Sequence, residues 1–239
     1  AGENFAEYEQ ILRDAQAKNL VVHLGYLYRT NPAVKKVFEI AESGVLGKIL
    51  YMETAMSAPR SKEYLSYLET FQGGTMYIFG GHIIDFVLRL MGEPKKVEPI
   101  LFRSGAEGCN GVDNATALFY YDSGVSVIRT SAIETGGHYR RQLTVVGERG
   151  TVCISPFERP VVKWLAVQNG KEDSYDKMAD AFPVEFPVDY DRYDAFPEEF
   201  YRRLSGEQST VYTYDYEITL HKLLLQSCGM DTDRSLRAL

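Results

Sequence analysis

The sequence predicts an α+β fold in which a large, open and mostly antiparallel sheet is covered on one face by helices. Residues 95 to about 167 contain short runs of β-branched and aromatic residues separated by turns, which is typical of strands. The segments "YYDSGVSV" and "VVGERGTV" predict hairpin turns, and hairpins join antiparallel neighbours. Apolar residues recur at helical spacing before and after this region, so we expect helices at both ends of the chain.

Composition excludes several classes of partner. The 239 residues carry a formal net charge of −7, and no basic run is longer than two residues. A nucleic-acid surface needs clustered lysine and arginine, so we expect no nucleic-acid partner. No apolar run is long enough for a membrane span. The three cysteines lack the spacing of a zinc site, and we interpret them as reduced. We therefore expect a soluble, cytoplasmic protein without a metal.

The helices at the two ends are predicted from capping residues and periodicity. The segment "FAEYEQILRDAQAKN" predicts a helix and "LVVHLGYLY" a buried strand, which together look like the end of a domain that begins upstream. In "RTNPAVKKVFEIAESGVLG", Asn31 is the expected N-cap, Pro32 opens the helix and Gly44 ends it. The segments "YDRYDAFPEEFYRRLSG" and "YDYEITLHKLLLQSCG" predict two further helices, and Gly229 ends the second.

The stretch "GGTMYIFGGHIID" at residues 73–85 combines glycines with a histidine and an aspartate. It continues into "FVLRLMGEP", which predicts one helix over 75–91 that ends at Gly92. Gly80 and Gly81 then lie inside that helix, where each glycine costs about 1 kcal/mol relative to alanine. Either a neighbouring element packs closely against the bare backbone, or a ligand occupies the space.

His82 and Asp85 lie on one face of this helix, and Arg89 follows one turn later. In one interpretation Asp85 and Arg89 form an ion pair, and His82 is a hydrogen-bonded core residue. In the other, Asp85 orients His82, which accepts a hydroxyl proton while the neighbouring carbon loses hydride. The spacing alone leaves both interpretations open.

From about residue 5 to residue 230 the sequence resembles the glucose-fructose oxidoreductase, inositol dehydrogenase and MocA family. The family signature Gly-Gly-Gly-x-x-x-Asp-x-Gly-x-His-x-x-Asp is similar to "QGGTMYIFGGHIID". The segment "GYLYRTNPAVKKVFEIAESGVLGKI" resembles the family's connection between domains, and "VVGERGTVCI" resembles its late hairpin. The resemblance implies that residues 1–26 end a truncated Rossmann domain. It also implies that residues 27–239 form a dihydrodipicolinate reductase-like C-terminal domain for substrate binding and oligomerisation.

The resemblance implies the substrate-binding half of a nicotinamide-dependent oxidoreductase that acts on a sugar, polyol or glycoside. The full-length protein would use NAD or NADP and would form a homodimer or tetramer through the open sheet face. The implied site residues are His82 for catalysis, Asp85, Tyr77 and His138 for the substrate, and Arg29 and Gly80 for the cofactor. The alternatives are a packing role for Tyr77, an exposed loop for His138 and a surface bridge for Arg29.

Two departures from the family pattern keep other functions open. Ile78 stands where the family has its first aspartate, and the chain contains neither Gly-x-Gly-x-x-Gly after a strand nor Glu-Lys-Pro. We therefore expect this chain alone to bind no nicotinamide cofactor. An NAD-dependent glycoside-cleaving relative is one alternative. A non-catalytic sugar-binding or scaffold protein is another, which Ile78 favours and His82 with Asp85 opposes.

Overall fold

Among the residues that the structure describes, seven strands form one sheet and six α-helices accompany them. The structure, a computed structural model, describes residues 2–158, 161–165, 191–207 and 209–232. The helices are α1 (Phe5–Ala17), α2 (Pro32–Glu42), α3 (Lys62–Leu68), α4 (Thr75–Met91), α5 (Ala195–Leu204) and α6 (Tyr214–Ser227). The strands are β1 (Ile49–Ser57), β2 (Lys96–Phe102), β3 (Asn114–Tyr121), β4 (Gly124–Ser131), β5 (Gln142–Gly147), β6 (Thr151–Ser155) and β7 (Val161–Leu165).

The strand order is β2-β3-β4-β1-β5-β6-β7. Strands β1 and β4 run parallel, with Tyr51 opposite Val125. Every other neighbouring pair of described strands is antiparallel. The predicted hairpins are present as β3–β4 and β5–β6, so the α+β fold class with a mostly antiparallel sheet is confirmed. Residues 159–160 and 166–167 of the predicted strand region lie outside the described residues.

Helices α4, α2 and α6 cover one face of the sheet. Met52, Phe119, Ile128 and Val145 point to that face and are fully buried in the main core with Phe86 of α4. Side chains alternate between the two faces of a strand, so the next residues along these strands face the other side. Those residues are only partly buried and include Tyr51, Leu118, Val127 and Val146. The described helices therefore leave the second face of the sheet open.

Helix α4 occupies the predicted span, and its two glycines permit close packing. A Cβ atom added at Gly81 would lie 2.9 Å from the Tyr26 ring. One added at Gly80 would lie 2.6 Å from the Met76 sulfur and 3.3 Å from a Leu224 methyl of α6. Such contacts are closer than ordinary van der Waals packing, so neighbouring side chains fill the space that the glycines leave. The packing interpretation accounts for both glycines.

The predicted strand "LVVHLGYLY" is wrong. Residues 20–26 are irregular, and a 3₁₀ helix follows at Leu27–Thr30. No described strand lies beside this segment to form a ladder, and Tyr214 supplies hydrogen bonds to it instead. The Val22 amide donates to the Tyr214 hydroxyl at 3.1 Å, and this hydroxyl donates to the Leu20 carbonyl. Assignment of residues 1–26 to a Rossmann domain stays a prediction.

Candidate active site

A cavity of about 650 Å³ lies beside α4. Its walls include the 3₁₀ helix after Tyr26, the end of β1 and the turn before β5. The charged and imidazole side chains that line it are His82, His138, Arg60, Arg141, Arg192 and Glu158. A concave site with convergent polar groups of this kind is the usual form of a small-molecule site.

His82 lies on this cavity and is partly buried. The rings of Tyr26 and Tyr28 contact its imidazole edge-on, each at a centroid distance of 5.6 Å. Its Nδ1 atom is buried and has no hydrogen-bond partner among the described residues. The pKa of His82 is lowered to about 4, mainly by burial and also by nearby arginines, while the Asp85 charge opposes the shift. The imidazole is therefore neutral at neutral pH and able to accept a proton.

His138 lies on the same cavity at an exposed position of the 3₁₀ helix Gly137–Arg140. The two glycines before it explain this placement. Gly136 has φ +72°, a conformation that favours glycine, and a Cβ atom on Gly137 would lie 2.9 Å from Ser57 at the end of β1. The turn thus packs directly on β1. Burial, together with Arg141 and Arg60, lowers the pKa of His138.

The predicted ion pair between Asp85 and Arg89 is wrong, whereas the orientation of His82 by Asp85 stays a prediction. Asp85 is 1% exposed and pairs with Arg29, whose Nε and Nη2 donate to the carboxylate at 2.9 and 2.8 Å. The Tyr216 hydroxyl donates to the same carboxylate at 2.8 Å. Arg89 instead donates to Glu42 at 2.6 Å. Helical spacing permits an Asp85–Arg89 pair, but the fork of Arg29 makes two hydrogen bonds to Asp85 in the core.

Arg29 is the centre of a buried charge network rather than a lining residue of the cavity. Its Nη1 and Nη2 also donate to Glu217 at 2.6 and 3.1 Å, and its guanidinium lies 3.8 Å from the centroid of the Tyr212 ring. Burial opposes the positive charge, but Asp85 and Glu217 raise the pKa of Arg29. Burial raises the pKa of Glu217, and Arg29 opposes that shift.

The structure therefore separates the six predicted site residues into two groups. His82 and His138 share the cavity, while the other four are not among the residues that line it. Asp85 and Arg29 belong to the charge network, and Gly80 packs against α6. Tyr77 stacks on Phe71 with ring centroids 5.0 Å apart. Binding roles for these four residues stay predictions.

Several cavity residues were not identified from the sequence. The Tyr28 hydroxyl donates to Glu158 at 2.5 Å, and Arg141 forms an ion pair with the same carboxylate. Arg141 also donates to the Ser57 carbonyl at 3.1 Å. The sequence contained one signal that could have identified a cavity residue, which is that Arg141 follows two glycines and directly precedes a strand. Glu158 and Arg192 reach the cavity only through tertiary packing.

Ile78 lines the cavity one turn before His82. We expect Ile78→Asp to raise the pKa of His82 above its value of about 4, by roughly 1 to 3 units, because a nearby carboxylate favours the protonated imidazole. Nuclear magnetic resonance titration of the imidazole protons measures this shift. Ile78→Asn is the control, since asparagine has nearly the same shape as aspartate but carries no charge. An equal pKa in the two variants would contradict the prediction.

The chain does not fit a complete nicotinamide cofactor. The cavity offers His82 and arginine side chains, but the sequence has no glycine-rich turn between a strand and a helix to hold a pyrophosphate. Among the described residues, no cluster of three or more histidine, cysteine or acidic side chains is arranged to hold a metal ion. In the same part of the chain, no helix has both the length and the apolar character needed to cross a membrane.

The open sheet, the helices on one face and the cavity beside α4 together define an α+β domain with a concave small-molecule site. A family model described as the GFO/IDH/MocA C-terminal domain matches residues 34–153, which is half of the chain. The chain belongs to the GFO/IDH/MocA oxidoreductase family. Comparison with the curated proteins found no match.

Solved structures share this fold. UDP-N-acetylglucosamine 3-dehydrogenase from Acidithiobacillus ferrooxidans superposes with a TM-score of 0.71 at 18% identity, over 95% of this chain and 66% of that one. Levoglucosan dehydrogenase in complex with NADH and levoglucosan superposes with a TM-score of 0.74 at 16% identity. The match covers 95% of this chain and 69% of that one. An oxidoreductase from Thermotoga maritima superposes with a TM-score of 0.70 at 16% identity, over 95% of this chain and 65% of that one. The chain thus spans about two thirds of the length of these structures.

Proposed function

We propose that this chain is the substrate-binding half of a nicotinamide-dependent oxidoreductase that acts on a sugar, polyol or glycoside. The observation that carries the proposal is His82, which stands at the signature histidine position and lines a cavity. Membership of the family supports the reaction class. The sugar substrates named for two solved structures of the same fold, and the NADH bound in one of them, support the substrate class and the cofactor.

Oxidation of an alcohol removes a hydride from carbon and a proton from the hydroxyl oxygen. NAD or NADP, bound mainly by a part of the longer protein outside this chain, would accept the hydride. In this proposal His82 accepts the hydroxyl proton, because its imidazole is neutral at neutral pH. His138 contacts the substrate from the rim of the cavity, and Tyr28 with Glu158 forms part of the wall that orients it. The Tyr26 and Tyr28 rings hold the imidazole edge-on from the side.

The test uses the intact protein and a panel of sugars, polyols and glycosides with NAD and with NADP. Reduction of the nicotinamide, followed by its absorbance, supports the proposal when it depends on one member of the panel. Stoichiometric release of an aglycone without net reduction identifies a glycoside-cleaving enzyme instead. Sugar binding without either reaction identifies a non-catalytic protein, the alternative that Ile78 beside His82 favours.

We also propose that the open sheet face forms a homo-oligomer interface. Leu118, Val127 and Val146 are partly buried apolar residues on the face opposite the helices, and such a face is suited to a partner. We expect Val127→Lys to shift the protein from oligomer to monomer in sedimentation velocity, because the ammonium group would be desolvated in the interface. Ile11→Lys on α1 is the control, since Ile11 is already 60% exposed. A wild-type monomer at high micromolar concentration would exclude the interface.

A further inference from the structure

The charges that line the His82 cavity do not balance. Three arginines and one glutamate are present among the described residues that line it. Glu158 already accepts hydrogen bonds from Arg141 and from the Tyr28 hydroxyl, and Arg192 lies 3.9 Å from the same carboxylate. His82 and His138 add no positive charge at neutral pH, since the pKa of each is lowered. The cavity therefore has a net positive lining whose one carboxylate is already engaged.

Arg60 is the cavity cation without a counter-anion. It forms no ion pair with any described residue, and its Nε atom is buried without a hydrogen-bond partner. Arg29 and Arg141, which are buried where Arg60 is only partly buried, differ because Arg29 pairs with two carboxylates and Arg141 pairs with Glu158. A partly buried guanidinium without a counter-anion is able to form charge-assisted hydrogen bonds to an oxyanion on a ligand through its remaining donors.

The position of Arg60 is fixed by its surroundings. Its backbone amide donates to the Ala132 carbonyl at 2.9 Å, directly after the end of β1. Its guanidinium carbon lies 4.7 Å from the centroid of the Tyr64 ring and 5.1 Å from that of Phe79 on α4. Ser61 caps helix α3 immediately afterwards, with its hydroxyl oxygen accepting from the Tyr64 amide at 3.3 Å. The fork of donors is thus held against two rings before any ligand arrives, which favours bidentate binding of an oxyanion.

We propose that this cavity takes an acidic carbohydrate, one that carries a carboxylate or a phosphate, with Arg60 as the residue that binds the anionic group. The inference rests on the proposed function, since it assumes that the sugar binds beside His82. A cavity of about 650 Å³ lies within the range of small-ligand sites and accommodates such a molecule. Carboxylate and phosphate present similar oxygens to an arginine fork, and Arg141 and Arg192 lie on the same cavity. A neutral sugar would leave Arg60 without its anion.

The test measures binding rather than turnover. Isothermal titration calorimetry with the 239-residue chain compares glucose, glucuronate and glucose 6-phosphate. We expect at least one of the two acidic sugars to bind about 10- to 100-fold more tightly than glucose, the range for a hydrogen bond to a charged group. Arg60→Gln should abolish this preference, and Arg60→Lys should retain part of it. Arg140→Gln is the matched control, because Arg140 is exposed on the adjacent turn and pairs with Glu134.

Other outcomes overturn the inference. These are equal binding of glucose and both acidic sugars, no binding of any of them, or an unchanged preference in an Arg60→Gln variant that melts like the wild type. Binding of inorganic phosphate as tightly as glucose 6-phosphate would show an anion site without sugar recognition. The two proposals fail separately. Oxidation of a neutral sugar without preference for acidic ones contradicts only the acidic substrate, whereas Arg60-dependent binding without any nicotinamide reduction contradicts only the oxidoreductase.

Discussion

Replacement of Arg29 by methionine is expected to lower the free energy of unfolding by roughly 3 to 5 kcal/mol, the range for removing one partner of a buried ion pair. Methionine keeps an unbranched chain but leaves the Asp85 and Glu217 carboxylates, both nearly fully buried, without their shared cation. Chemical denaturation followed by circular dichroism measures the loss. A loss below about 1 kcal/mol, the range for an exposed pair, would show that the network does not stabilise the fold.

Two controls separate the charge effect from the packing effect. Arg89→Met removes an arginine whose partner Glu42 is half exposed, so its cost should be much smaller. Adding Asp85→Asn and Glu217→Gln to Arg29→Met removes the unpaired charges and should restore part of the stability.

The pH dependence of Arg29→Met provides a further control. Burial raises the pKa of Glu217 and Arg29 lowers it, so removal of Arg29 raises that pKa further above the reference value of 4.5. A carboxylate with a raised folded-state pKa destabilises the fold when it is ionised. The deficit of the variant should therefore be largest at neutral pH and should shrink as the pH falls toward 4.5.

Replacement of His82 by alanine is expected to lower the turnover of the intact enzyme by roughly 10²- to 10⁴-fold, the usual contribution of a positioned acid or base. The loss of hydrogen bonds should change stability little, because Nδ1 of His82 has no partner among the described residues. Steady-state kinetics and thermal unfolding measure the two effects separately. Normal turnover in His82→Ala would remove the catalytic role.

His221→Ala is the control for a structural histidine. His221 is fully buried, its Nε2 lies 2.9 Å from the Gly2 carbonyl oxygen, and its ring lies 3.9 Å from that of Tyr8. This variant should melt at a lower temperature, while the turnover per folded enzyme molecule should stay normal. A drop in turnover similar to that of His82→Ala would show that the assay reports only loss of folding.

Local signals in the sequence were sufficient to predict helices that begin or end at a recognisable capping residue. Helix α4 was predicted at its observed span because a glycine, Gly92, follows it. In the structure Gly92 ends the helix with φ +74°. Helix α2 was predicted because the Asn31 side chain accepts from two amides and Pro32 follows it. The strand at residues 20–28 was wrongly predicted, because an apolar run does not reveal whether another strand lies beside it. Strand β1, the centre of the sheet, was not identified from its sequence.

Only those site residues were predictable that lie in a single helix or turn with a recognisable glycine pattern. His82 and His138 were identified from the glycines next to them, and both line the cavity. The partner of Asp85 could not be predicted, because Arg29 reaches it from a distant part of the sequence. Arg60 carries no motif, and its lack of a counter-anion among the described residues becomes visible only when the surrounding side chains are in place.

The parallel pairing of β1 with β4 constrains how the chain folds. Strands β2, β3 and β4 follow one another as neighbours, and so do β5, β6 and β7, which means that each set assembles from contacts close in sequence. Strand β1 precedes both sets, yet Tyr51 pairs with Val125 on one side and with Val146 on the other. Joining the two sets therefore requires closure of long loops, whose entropy cost precedes any gain from the new contacts. We expect the docking of β1 to determine the folding rate.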